Sequence, residues 1–186
     1  MISTAELKKG ATIELDGKLF AILDYNHIKT GRGSAQVRIK LRDVRSGSTI
    51  EHTVQAGAKF NRANVERREM QYLYSDDQFY YFMNTENFEQ IPVGAERIGD
   101  ANKYLKENDT CELVLYGEEV LGVELPLSVE LTIVQTEPGF KGDTATGGTK
   151  PATTETGLVV NVPLFVEEGT RIKVNTDSGS YIERVG

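Results

Sequence analysis

The sequence predicts an all-β protein built from small barrels, and three observations predict it. Short runs alternate apolar and polar residues with period two. In Gln36–Arg42, Val37, Ile39 and Leu41 fall on one side and Gln36, Arg38, Lys40 and Arg42 on the other. Turn-forming groups punctuate such runs at short intervals, as at Asp16-Gly17, Arg45-Ser46-Gly47 and Ser75-Asp76-Asp77-Gln78. Helical spacing is confined to Ile98–Lys106, where Ile98, Ala101 and Leu105 would share one face.

At 186 residues the chain can hold more than one small core. Residues 1–62 read as an SH3-like barrel. Thr12–Leu15 is a short strand, Asp16-Gly17 turns it into Lys18–Tyr25, and Gln36–Arg42 pairs back across a loop. Ser48–Val54 follows the turn at Arg45–Gly47. Gln55–Arg62 breaks the alternation and marks a boundary. Residues 63–126 read as an OB-type barrel, with strands at Val65–Tyr74, Phe79–Met83, Thr110–Tyr116 and Val120–Leu125 and the one short helix. The aromatic run Tyr72, Tyr74, Phe79, Tyr80, Tyr81 and Phe82 has two readings. It could be a platform on which bases stack, or core and strand-pairing residues. Its acidic surroundings favour the second. Residues 127–186 repeat the pattern, with strands at Val129–Ile133, Leu158–Val162, Thr170–Val174 and Ser180–Val185. Glu137–Thr156 reads as a long glycine-bearing loop, a length usually tied to function or disorder.

Charge is segregated along the chain. The net charge of −7 divides into +5 for residues 1–62, −9 for 63–126 and −3 for 127–186. A basic end on an acidic body fits a polyanion gripped at one end. The alternating Arg38, Lys40 and Arg42 would supply a basic strand face. Between its two flanking strands, Lys29-Thr30-Gly31-Arg32-Gly33-Ser34-Ala35 forms a hairpin loop. Gly31 and Gly33 allow positive φ on either side of Arg32, so a guanidinium would stand at a projecting tip. An ordinary solvated turn would have the same composition.

Chemistry-bearing motifs are missing. The single cysteine, Cys111, lies in strand-like sequence and reads as a small core residue. The two histidines, His27 and His52, fall in or beside strands. There is no His/Cys metal spacing, P-loop, GxSxG or dinucleotide fingerprint. These features argue against an enzyme, a metal or a cofactor. No apolar run approaches the roughly 20 residues of a membrane helix, and the first residues lack signal-peptide character. A cytoplasmic location is the expectation.

Three stretches carry a resemblance to bacterial translation elongation factor P over the whole chain. They are the hairpin Lys29–Gly33, the middle segments Leu73-Tyr74, Phe82-Met83 and Phe88-Glu89-Gln90, and a long C-terminal signature. The signature runs Pro138-Gly139-Phe140-Lys141-Gly142-Asp143-Thr144, Lys150–Gly157 and Val162-Pro163-Leu164-Phe165-Val166. The resemblance implies an SH3-like domain followed by two OB-fold domains, L-shaped like transfer RNA. It implies a monomer bound to both ribosomal subunits between the peptidyl and exit sites. There the tip residues Lys29, Gly31, Arg32 and Gly33 would reach the CCA end of peptidyl-tRNA and relieve stalling at consecutive prolines. Gly142, Asp143 and Thr144 of the third domain would lie near the small subunit. Two rivals are an elongation-factor-P-like paralogue with other clients and a single-stranded nucleic-acid-binding OB protein.

The tip departs from the family pattern. Many members carry a lysine that is lysylated, whereas Arg32 cannot take that modification. Other members carry a rhamnosylated arginine after Pro-Gly and before Asn; here Thr30-Gly31 precedes Arg32 and Gly33 follows. Arg32 is therefore expected to act unmodified or to be the target of an arginine-specific modifying enzyme.

Overall fold

The fold was obtained as a computed structural model that describes residues 1–29, 31–139 and 148–186. Its strands form three antiparallel sheets. The first contains β1 (Ile2–Ser3), β2 (Thr12–Leu15), β3 (Lys18–Ile28), β4 (Gln36–Asp43), β5 (Thr49–Gln55) and β6 (Lys59–Arg62), in the order β1-β6-β2-β3-β4-β5. The second contains β7 (Glu66–Ser75), β8 (Phe79–Asn84), β9 (Gln90–Gly94), β10 (Thr110–Tyr116) and β11 (Glu119–Glu124), in the order β11-β10-β7-β8-β9. The third contains β12 (Ser128–Thr136), β13 (Thr149–Thr154), β14 (Val159–Pro163), β15 (Arg171–Asn175) and β16 (Tyr181–Arg184), in the order β14-β13-β12-β15-β16.

By compactness the chain divides into Met1–Glu66 with Leu115–Leu121, and Arg67–Val114 with Gly122–Gly186. The first unit closes on Leu7, Ile13, Phe20, Ile22, Val37, Ile39, Leu41 and Phe60. Asp16 and Gly17 both take positive φ, the mirror-image turn that suits a two-residue hairpin between β2 and β3. A bulge between Ile22 and Asp24 then changes which side of β3 faces inward. Ile22 pairs with buried Leu41, and beyond the bulge Tyr25 pairs with buried Ile39. Such a bulge adds local twist, which helps a sheet curl on itself.

The second unit holds the third sheet and the second apart from Glu66 and Leu115–Leu121. Buried Met70, Tyr72, Phe82, Val93, Leu113 and Leu115 show the inward faces of β7–β10. A separate cluster of Leu131, Ile133, Ala152, Val160, Val162, Val166, Ile172 and Val174 fills the third sheet, with Tyr104 packed against it. Thr156 Oγ1 donates to the Lys103 carbonyl.

The structure departs from the sequence reading at several places, among them β9 (Gln90–Gly94), which the alternation did not mark. Lys59–Arg62, read as a break, is β6 and pairs with both β1 and β2. Only Phe60 of its four residues is buried, too few for alternation to register. The helix expected over Ile98–Lys106 begins earlier as α1 (Ala95–Ile98) and continues as a 3₁₀ turn at Gly99–Lys103. Gly99 at φ 53 separates the two. Part of the expected Glu137–Thr156 loop is β13, a strand between β12 and β14. The aromatic run divides by face: Tyr72 and Phe82 are buried, whereas Tyr74 is 48% and Phe79 38% exposed.

Candidate nucleic-acid interface

The β3–β4 hairpin forms because both strands bury a regular apolar row. β4 alternates exposed and buried along its whole length, with Val37, Ile39 and Leu41 fully buried. The last ladder pair is Ile28 with Gln36, which also pairs with Gln55 of β5. The Ala56 amide donates to the Ala35 carbonyl at 2.8 Å. The ladders on both sides of β4 therefore stop at the same level, and Lys29 and residues 31–34 lie beyond their last pairs. Lys29, Gly31, Arg32 and Gly33 are exposed, and Gly31 and Arg32 lie in a turn. A Cβ on Gly31 would meet nothing within 4 Å. Arg32 is exposed, and among the described residues no hydrogen bond or ion pair engages its guanidinium.

The outward face of β4 carries Arg38, Lys40 and Arg42, all exposed. Their cross-strand neighbours differ. Arg38 lies between Asn26 and Thr53, and Arg42 between Ala21 and Thr49. Lys40 lies between two carboxylates, Asp24 and Glu51. Asp24 also accepts from Lys9 Nζ at 2.9 Å, and Lys9, the Tyr25 amide and Lys40 together hold its carboxyl below its usual range. Among the described residues the basic face thus has two guanidinium ends without an ion pair and a centre flanked by carboxylates. Residues four apart on one strand stand about 13 Å from each other, so Arg38 and Arg42 suit separate phosphates.

The turn after β4 is fixed by Asp43. Its carboxylate accepts the amides of Ser46 and Arg45, at 3.1 and 2.8 Å, and these bonds hold its pKa down. Arg45 then forks onto Glu119, with Nε and a terminal nitrogen at 2.8 and 2.9 Å from the two carboxylate oxygens. Sequence reading missed this pair, since the two residues stand 74 positions apart.

Gly142, Asp143 and Thr144 lie outside the described residues. The chain on either side of them is tied down. Lys150 is buried and its ammonium donates to the Glu137 carbonyl at 2.5 Å. A Cβ on Gly139 would fall 2.8 Å from Leu164 Cβ, so only glycine fits there. Cys111 is buried in β10 with its thiol pushed up to about 12, chiefly by desolvation. His27 and His52 lie in β3 and β5. Among the described residues, no group of three or more His, Cys, Asp or Glu gathers as a metal site, and no helix is long and apolar enough to cross a membrane.

Three antiparallel sheets in succession along the chain make an all-β protein of small domains, and the comparisons place that class among translation factors. The elongation factor P KOW-like domain model matches residues 3–60, the OB-domain model 65–123 and the C-terminal model 129–184. Elongation factor P of Moorella thermoacetica is 55% identical over 184 residues, covering 99% of this chain and all of the relative. The Thermoanaerobacter protein of that name is 52% identical over 185 residues, covering both chains in full. Among solved structures, eukaryotic translation initiation factor 5A from Methanococcus jannaschii shares the fold, with TM-score 0.53 and 18% identity over 67% of this chain and 90% of its own. The chain belongs to the elongation factor P family. It is a translation elongation factor of three all-β domains.

Proposed function

We propose that this factor binds the ribosome between the peptidyl and exit sites and speeds peptide-bond formation where consecutive prolines stall it. One observation carries the reading: Arg32 stands exposed at the end of a hairpin that outruns its own sheet, with its guanidinium unengaged by described residues. Five donors in a rigid fork suit phosphate or ribose hydroxyls of an RNA backbone. In this reading the tip takes no part in bond making or proton transfer. It acts by holding the CCA end of peptidyl-tRNA in productive geometry, recovering orientation entropy that a poorly placed substrate loses. Arg38 and Arg42 supply sequence-independent phosphate contacts behind it.

In this reading the factor works as a cytoplasmic monomer, with domain boundaries near residues 62 and 126, and Gly142–Thr144 faces the small subunit. Arg32 works either unmodified or after an arginine-specific enzyme has acted on it. Intact mass and peptide mapping of protein from its native host separate these, since only the second leaves a shift on Arg32. The decisive experiment is translation of a triple-proline reporter with and without the protein. Relief of stalling that disappears in Arg32→Ala supports the reading, and equal translation in both arms removes it.

A further inference from the structure

The outward face of β7–β8–β9 carries an aromatic surface that the hairpin reading leaves unused. Tyr74 and Tyr81 are cross-strand partners, with rings stacked at 4.6 Å and 22°. Phe79 lies two positions along the same face, its ring 6.4 Å from that of Tyr81. Pro92, exposed on β9, pairs with Tyr81 on the other side. Tyr74 is 48% exposed and Phe79 38% exposed.

The stretch of sequence that carries these rings holds charge of one sign. Residues 71–95 contain Asp76, Asp77, Glu86 and Glu89 and no lysine or arginine. Asp76 and Asp77 form the β7–β8 turn beside the rings. Asp76 accepts the amides of Gln78 and Phe79 at 2.9 and 2.7 Å and the Tyr81 hydroxyl at 2.8 Å. Donation from that hydroxyl to a carboxylate enriches the Tyr81 ring in electron density, which strengthens its attraction for a cation. Phosphate would be repelled by the same carboxylates, so the stacking of nucleic-acid bases does not suit this face.

We infer that the Tyr74–Phe79–Tyr81 face is a docking site for an arginine-bearing basic segment of a protein partner. A guanidinium would lie flat on the open side of the tyrosine stack, with Asp77 as its counter-ion. Charge complementarity and the paired, already ordered rings support this occupant, and the inference stands independently of the role of Arg32.

Titration of the isotope-labelled full chain with a hexa-arginine peptide tests it, read by backbone and tyrosine-ring chemical shifts. Shifts should cluster on Tyr74, Phe79 and Tyr81. Tyr74→Leu, which keeps apolar bulk and net charge but removes a π-face, should weaken binding about three- to fivefold. Tyr81→Phe keeps the ring and removes the bond to Asp76, and should weaken it less. Asp100→Asn, a control elsewhere in the same acidic segment, should change little. Thermal melting of each variant confirms that it is folded, and a misfolded Tyr74→Leu is replaced by Tyr74→Ser. Unchanged affinity in the folded Tyr74 variant would overturn the inference, because attraction would then be charge alone. Shifts centred away from the rings, or larger ring shifts with a hexa-uridine oligonucleotide, would overturn it too.

Discussion

The outward faces of β4 in the first sheet and of β7–β8 in the second share one backbone pattern and carry opposite chemistry. Each buries part of its strands and leaves the rest outside: β4 alternates buried and exposed along its length, and on β7 and β8 Met70, Tyr72 and Phe82 are buried while Tyr74 and Phe79 are exposed. The β4 face presents Arg38, Lys40 and Arg42, whereas the β7–β8 face presents stacked tyrosines beside Asp76 and Asp77. The difference shows that the core fixes only every second residue of a half-buried strand. The other residues are free to specify a partner; in the two proposals above this is a polyanion in one case and a cationic segment in the other.

The comparison assumes that inward residues are inert, and the largest expected effect tests that. With its thiol near 12 against an ordinary value of 9.0, Cys111 should react with a thiol reagent at pH 8 roughly a thousandfold more slowly than in denaturant. Fast labelling of the folded chain would show that β10 opens readily. Next comes double charge reversal, Arg38→Glu with Arg42→Glu. It should lower ribosome affinity by an order of magnitude or more and flatten the slope of log K against log salt by about two. An unchanged slope in pelleting assays would make the β4 face a solvated surface no different in role from any other.

A smaller effect is expected at the turn that ends β4. Asp43→Asn should cost about 1 kcal/mol at neutral pH, because both amide bonds, which fall on one oxygen, lose their charge assistance. Asp43 has a folded pKa below its ordinary 3.8. Its contribution is therefore complete above that value and is lost as pH falls through the folded one. Denaturation followed from pH 7 to pH 2 should show wild type and variant converging at the acid end; parallel curves would mean the carboxylate is not the stabilising group. The smallest effect should come from Lys40→Gln. With Asp24 and Glu51 as cross-strand neighbours, its loss should change affinity less than threefold, well below either arginine. Equal losses at all three positions would erase the distinction between free and compensated cations.

Strand β4 was fully legible in sequence, because three apolar residues alternate with four polar ones and a turn signal stands on each side. The exposed position of Arg32 followed from the same hairpin. β13 was illegible because its inward residues are Lys150, Ala152 and Thr154, a buried row with little apolar character. The Lys150 ammonium tolerates burial by donating to Glu137. β9 was hidden by Pro92, which an edge strand accepts. The compensation of Lys40 depends on the bulge at Ile22/Asp24, which brings Asp24 opposite it; without that extra residue Leu23 would face Lys40. Register shifts of this kind leave no local trace. The division of the aromatic run between core and surface has the same origin, since a bulge between Tyr72 and Tyr74 sets which rings turn outward.

The central claim is that the hairpin tip supplies function and little stability, and Arg32→Ala tests it most directly. The measurement is the rate of Pro-Pro bond formation on the ribosome, taken with thermal melting and ribosome affinity of the same protein. Stability should change by about 0.5 kcal/mol or less, as for an exposed residue without described partners. Affinity should hold within about threefold, because it is spread over many phosphate contacts. The rate enhancement should largely vanish, the signature of a contact made in the transition state, and Arg32→Lys should fall between, keeping the charge without the planar fork. A fully active Arg32→Ala would contradict the account and move the function from the tip to the sheet faces.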